Sequence, residues 1–148
     1  MKIVIACACD IGIYLATLLS HSHENITLID EDEERLGRMD AEADLMTLQA
    51  SPSSIKTLKE ANAGDADLFI AVTADQHLNL NICMIAKALG AKKTVAKIDD
   101  VELTEPGMAE LFERLGVSSL IVPETLAATD IINGLKMSWV RQRWDVHN

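Results

Sequence analysis

The sequence predicts a doubly wound α/β fold, with six strands in a mostly parallel sheet and helices on both faces. Three observations predict it. An apolar run, Ile3-Val4-Ile5-Ala6, leads into Cys7-Ala8-Cys9-Asp10-Ile11-Gly12; a second run, Ile26-Thr27-Leu28-Ile29, ends on Asp30, 18 residues beyond Gly12; and strand-like and helix-like segments alternate six times along the chain. The first two make the frame of a Rossmann βαβ unit, in which a carboxylate about 20 residues past the turn meets the ribose hydroxyls of a dinucleotide. The third specifies the sheet, because parallel strands need a crossover helix between them.

Each element has a local reason. A strand buried on both faces must be apolar throughout, as residues 3–6 are. Ile11, Tyr14, Leu15, Leu18 and Leu19 recur at helical spacing and predict a helix over about 12–21 with one face on the sheet. The acidic stretch at 31–34, followed by Arg35 and Leu36, opens a second helix, where carboxylates suit the positive end of the dipole. Residues 44–48 read as a third strand, Ser51-Pro52-Ser53-Ser54 as a turn and cap, and Ile55, Leu58 and Ala61 as the packed face of a third helix. Residues 67–73 form the most apolar strand and predict the sheet's centre.

A helix over 76–89 turns Leu78, Ile82, Ile85, Ala86 and Leu89 inward and stops at Gly90. A fifth strand at 93–98, a helix at 108–115 closed by Gly116 and a sixth strand at 119–122 follow. Pro123 then begins a last helix, where its missing N–H costs nothing. The strand order expected is 3-2-1-4-5-6, with the ligand crevice between strands one and four. Residues 1–135 make the nucleotide-binding domain, and residues 136–148 an exit helix toward a further domain.

That order delivers Cys7 to Gly12, Asp30 and Glu31, Ala50 and Ser51, and Val72 to Asp75 to the crevice. Of the three glycines usual in the first turn, only the third remains, as Gly12. Cys7 must therefore shape the turn, and the Cys9 side chain points toward the volume of a diphosphate. Thr73, Asp75 and Asn79 read either as ligand contacts or as a strand end, a helix cap and a capping-turn residue. A metal at Cys7 and Cys9 would have only Cys83, His21 and His23 for further ligands, so none is expected. A disulfide across one intervening residue is strained.

Bulk properties narrow the function. At 148 residues with 49% hydrophobic content, the chain can close one core. Its net charge of −10 opposes binding to nucleic acid or an anionic membrane surface. No run approaches the ~20 apolar residues of a bilayer span, so membrane insertion is not expected. Three cysteines without a framework pattern fit a reducing, cytoplasmic setting. The histidines, at 21, 23, 77 and 147, fall in expected loops, a helix start and the tail, none beside a Ser or Cys nucleophile in a recognisable catalytic arrangement, and there is no room for a substrate domain after the sixth strand, so the chain reads as no enzyme.

Several blocks carry a family resemblance. Residues 67–73, Asn79, the run 86–97, Leu115-Gly116-Val117 and the run 122–128 resemble the TrkA N-terminal domain, also called RCK or KTN, of bacterial potassium uptake proteins. The resemblance implies a cytoplasmic regulator of a membrane potassium transporter subunit that binds NAD or NADH, or else ATP, ADP or AMP. It also implies a homodimer, formed through the helices after the sixth strand and extended to a ring.

By that resemblance Cys7, Ala8, Cys9, Asp10, Ile11 and Gly12 face the phosphates, Asp30 with Glu31 the ribose, and Ser51 the adenine side. Val72, Thr73 and Asn79 face the middle of the ligand, and Lys97 replaces a frequent arginine near the phosphates. The family's Gly-Asp after strand three stands here as Gln49-Ala50. With Cys7 and Cys9, that departure also suits a copy kept for assembly after losing nucleotide affinity. A small NAD(P)-dependent oxidoreductase is the third reading. Ile131, Ile132, Leu135, Trp139 and Val140 give the last helix a broad apolar face, which suits dimerisation.

Overall fold

The computed structural model describes residues 1–22, 24–39 and 43–122. Six strands, β1 (Lys2–Ala6), β2 (Asn25–Asp30), β3 (Met46–Gln49), β4 (Leu68–Ala71), β5 (Lys93–Lys97) and β6 (Ser119–Ile121), form one sheet in the order β3-β2-β1-β4-β5-β6. Every pairing is parallel. The predicted order is therefore the observed one. The helices are α1 (Asp10–Ser20), α2 (Glu33–Leu36), α3 (Ile55–Glu60), α4 (Gln76–Leu89) and α5 (Met108–Leu115). Short 3-10 turns at Ala63–Asp65 and Val101–Thr104 were not expected from periodicity, which cannot register elements this brief.

The two faces of the sheet carry separate cores. Ile3 and Ile5 point to one side with Leu15, Leu19, Ile26, Leu28 and Leu36, under α1 and α2. Val4 and Ala6 point to the other with Leu58, Phe69, Ile82, Ala86 and Phe112, under α3, α4 and α5. The alternation along β1 thus feeds both layers, which is why its residues 3–6 are all apolar and all fully buried.

Three expectations need correction. α1 begins at Asp10, two residues earlier than the periodicity placed it, because Cys9 already has the extended backbone of an N-cap. Tyr14 and Ile55, assigned to packed faces, are exposed: Gly12 and Ala16 let α1 approach the sheet along a line that leaves Tyr14 outside. The third strand, read over 44–48, is observed as the edge strand β3 over Met46–Gln49, in register with β2, with Leu48 partly buried against the core and Met46, Thr47 and Gln49 exposed. Pro123, the last helix with its apolar face, and the exit segment 136–148 lie outside the described residues.

Candidate functional site

β1 and β4 lie side by side, and their connections leave to opposite sides of the sheet, so the crevice above their carboxyl ends is the natural ligand position. A cleft of about 200 Å³ opens there. It brings together Cys7, Asp30, Glu31, Ser51 and Thr73 of the expected residues. Arg35, Pro52, Ser53, Ala74 and Leu78 complete its lining. The sequence reading placed Arg35 at the opening of the second helix without a role in the crevice, and Leu78 on the inward face of its helix. The signal for Arg35 was its position one turn into a helix that starts beside Asp30, which swings the guanidinium back over the strand tip.

Asp30 organises the cleft floor. Its carboxylate is almost fully buried and accepts from the Ala8 N–H at 2.7 Å and the Asp32 N–H at 2.8 Å, with the Arg35 guanidinium 3.7 Å away. The end of β1 is tied in parallel to β2, through the Cys7 N–H and the Ile29 carbonyl at 2.8 Å. One carboxylate therefore joins the turn after β1 to the start of α2. In the register, Gln49 stands beside Asp30, and the Ala50 N–H donates to the Asp30 carbonyl, so the position of the absent second carboxylate adjoins the same floor.

Cys7 takes the left-handed backbone usually left to glycine, with φ 101°. For a residue with a Cβ this costs on the order of 1–3 kcal/mol. Cys9 is different. Its backbone is extended, at φ −75° and ψ 177°, so a side chain there carries no such strain. Gly12 is required for space: an added Cβ would overlap the Cys7 carbonyl oxygen.

The Cys9 sulfur sits between the N-terminus of α1 and the end of β4, where it donates to the Val72 carbonyl at 3.1 Å. The Cys7 thiol hydrogen-bonds to it, the Ile11 and Gly12 N–H groups face it without closing a cap, and the Lys97 charge lies nearby; together these lower the Cys9 thiol to about 6. The Val72 carbonyl and burial oppose ionisation, but several donors outweigh one acceptor. Cys7 is pushed well up, first by its hydrogen bond to Cys9 and then by burial, so the pair loses one proton readily and the second with difficulty.

An acid held below its ordinary value of 9.0 stabilises the fold above that value, and this contribution is lost as pH falls from 9.0 toward 6. Thiolate absorbance near about 240 nm should therefore rise for one cysteine with a midpoint near pH 6, and this step should disappear in Cys9→Ser. A first step in the ordinary thiol range would contradict the assignment.

The remaining candidates sit behind the cleft. Asn79 has no exposed surface. Its Oδ1 accepts from the Thr73 N–H at 2.9 Å and the Thr73 hydroxyl at 2.6 Å, and its Nδ2 donates to the Thr73 carbonyl at 3.0 Å and the Lys97 carbonyl at 2.8 Å. Every polar position of this amide is occupied within the protein, so it holds the ends of β4 and β5 together, and a ligand contact would have to displace one of those bonds. Asp75 caps α4, accepting from the His77 and Leu78 N–H groups. Asp10 is fully exposed and lies 3.5 Å from Arg38. Among the described residues, no group of three or more His, Cys, Asp or Glu could hold a metal.

The TrkA-N domain family model matches residues 3–123. The chain is 37% identical over 133 residues to the Trk system potassium uptake protein TrkA of Haemophilus influenzae, covering 88% of this chain and 29% of that protein. It therefore spans less than a third of that relative. The fold superposes on the TrkA-N domain of inner membrane protein ybaL from Escherichia coli with a TM-score of 0.71 at 13% identity, covering 90% of this chain and 96% of that one. It superposes on the GsuK channel bound to NAD with a TM-score of 0.63 at 18% identity, covering 82% of this chain and 21% of that one. At such identities these two structures speak to the fold.

Proposed function

Since this chain belongs to the TrkA-N domain family, we propose that it is the regulatory nucleotide-binding domain of a potassium uptake system, acting at the cytoplasmic face of the membrane on a transporter subunit. The relative from Haemophilus influenzae, named for potassium uptake, supports the transport part. The NAD-bound GsuK channel supports the ligand class. The observation that carries the reading is the Asp30 carboxylate on the cleft floor, bonded to the Ala8 N–H of the turn and flanked by Ser51 and Thr73.

NAD or NADH would lay its adenosine half in the cleft, with ribose hydroxyls on Asp30 and Glu31 and adenine toward Ser51. Its diphosphate would cross residues 7–12 toward the start of α1, near Lys97. Small-molecule pockets run to about 300–1,000 Å³, so a dinucleotide would extend beyond the cleft's 200 Å³ along the sheet edge. Among the described residues no helix is long and apolar enough to cross a membrane, which suits attachment through a partner. Paired domains would transmit binding to the pore only if the nucleotide prefers one arrangement of the pair over another. No catalytic step is assigned to these residues.

A second reading has its own observation: the Cys9 sulfur lies in front of the α1 N–H groups that a diphosphate would use. In that case the chain serves assembly alone. Calorimetric titration with NADH, NAD, ATP, ADP and AMP, on this chain and on Cys7→Gly/Cys9→Gly, separates the two. Binding of at least one nucleotide by the unaltered chain, about fivefold or more tighter in the double variant, supports the sensor. Silence at millimolar nucleotide in the unaltered chain, with binding restored in the double variant, supports the assembly reading. Silence in both rejects the nucleotide site.

A further inference from the structure

We propose that the cleft holds its ligand by the nucleoside end and leaves the phosphates unread, so that adenosine, AMP, ADP, ATP and NAD bind with nearly equal strength. The domain would then respond to the pool of adenine nucleotides and not to their phosphorylation or redox state. This rests on the nucleotide reading above and narrows it to one part of the ligand. Asp30, Glu31 and Ser51 line the cleft with acceptors for ribose hydroxyls and base edges, and Pro52 and Leu78 give it apolar walls for a base face. Of residues 7–12, only Cys7 is part of that lining. At about 200 Å³ the cleft falls below the ~300 Å³ at which pockets for whole small molecules begin, so it encloses part of a nucleotide, and the part its groups suit is the nucleoside.

The turn between β1 and α1 has little left to offer a phosphate. In a glycine-rich turn the missing side chain at the second glycine lets a diphosphate come close to the backbone. Cys9 stands at that position. Its thiol donates to the Val72 carbonyl at 3.1 Å, which lays the side chain across the gap between the turn and the end of β4. A diphosphate on the usual path meets the sulfur before it reaches the backbone. The neighbouring Ala8 N–H is spent on the Asp30 carboxylate at 2.7 Å, and Ala8 has no exposed surface.

Charge points the same way. Among the residues lining the cleft, Arg35 is the one cation, and it lies 3.7 Å from Asp30 and 3.6 Å from Asp32. Its charge is balanced at the ribose end by those carboxylates, and Glu31 adds a further negative charge to the lining. Lys97 is not part of the lining. Each phosphate added to the ligand brings negative charge toward a chain of net charge −10, which opposes whatever one lysine beyond the cleft contributes. The ribose hydroxyls are neutral donors and gain from the same carboxylates.

The test is calorimetric titration of the full chain with adenosine, 2′-deoxyadenosine, AMP, ADP, ATP and NAD, repeated on Cys9→Gly. In the unaltered chain adenosine, AMP, ADP, ATP and NAD should agree within about fivefold, and 2′-deoxyadenosine should bind at least about fivefold more weakly than adenosine for want of a hydroxyl on the carboxylates. Cys9→Gly removes the sulfur at a residue whose extended backbone glycine adopts freely, and should tighten ADP, ATP and NAD about fivefold or more while adenosine stays unchanged. A spread wider than about fivefold that rises from adenosine to ADP overturns the inference and leaves the nucleotide reading standing. Equal binding of adenosine and 2′-deoxyadenosine overturns the nucleoside anchor, and so does a Cys9→Gly variant that tightens adenosine as much as ADP. Silence of the unaltered chain toward all six ligands overturns the inference together with the sensor reading on which it rests. The series on the unaltered chain decides the matter without the variant.

Discussion

Gly12→Ala is expected to destabilise the fold by about 3 kcal/mol, at the upper end of overpacking changes. The added carbon would overlap the Cys7 carbonyl oxygen and come within 3.1 Å of its carbon, and neither belongs to a flexible side chain that could swing aside. α1 must then lift from β1, and the turn that carries the anion-facing N–H groups moves with it. Nucleotide affinity should fall at least tenfold. Gly37→Ala is the matched control: its added carbon meets only ordinary contacts at 3.4 Å and 3.5 Å, its backbone is already right-handed, and it should be neutral or stabilising by up to about 1 kcal/mol. Urea midpoints for the two variants decide the matter, and equal midpoints would refute the close approach.

Asn79→Leu is expected to cost about 3–4 kcal/mol. Four hydrogen bonds disappear and the Thr73 N–H and the Lys97 carbonyl lose buried partners, each worth on the order of 1–3 kcal/mol when left unpaired. Against a typical stability of about 5–15 kcal/mol, that is a large fraction. Asn79→Asp tests the direction of the bonds, because it keeps the acceptor for Thr73 and sets a second oxygen against the Thr73 and Lys97 carbonyls. It should be at least as harmful near neutral pH. A change below about 1 kcal/mol in both variants would show that the amide is not the clamp between the ends of β4 and β5.

Nearly all of the sheet was legible in the sequence, because a strand covered by helices on both sides must be apolar without interruption. Residues 3–6 and the apolar middle of 67–73, observed as β4 over Leu68–Ala71, announce themselves in that way, and the bounds 76–89 and 108–115 of α4 and α5 match to the residue. Edges were harder to read. Met46 is two-thirds exposed and Ile55 half exposed, since an outer strand and a six-residue helix leave apolar side chains uncovered without changing their spacing.

The site divides along the same line. Asp30 and the turn ahead of Gly12 were found by spacing, because a carboxylate at the tip of the second strand is fixed in place by chain length alone. Asn79 was visible as a residue but not as a clamp. Its four partners come from Thr73 and from Lys97, 18 residues away, and only folding puts them around one amide.

The order of the strands, the crossing point above β1 and β4 and the residues brought to it were set by the linear pattern of apolar runs, turns and glycine. That pattern is local, and a parallel sheet leaves few ways to satisfy it. Tertiary structure decided which polar groups face the cleft and which are consumed behind it. It also turned two cysteines, a helix start and a distant lysine into one charged environment. Those outcomes depend on side-chain directions and on distances between residues remote in the chain, quantities that residue spacing does not contain.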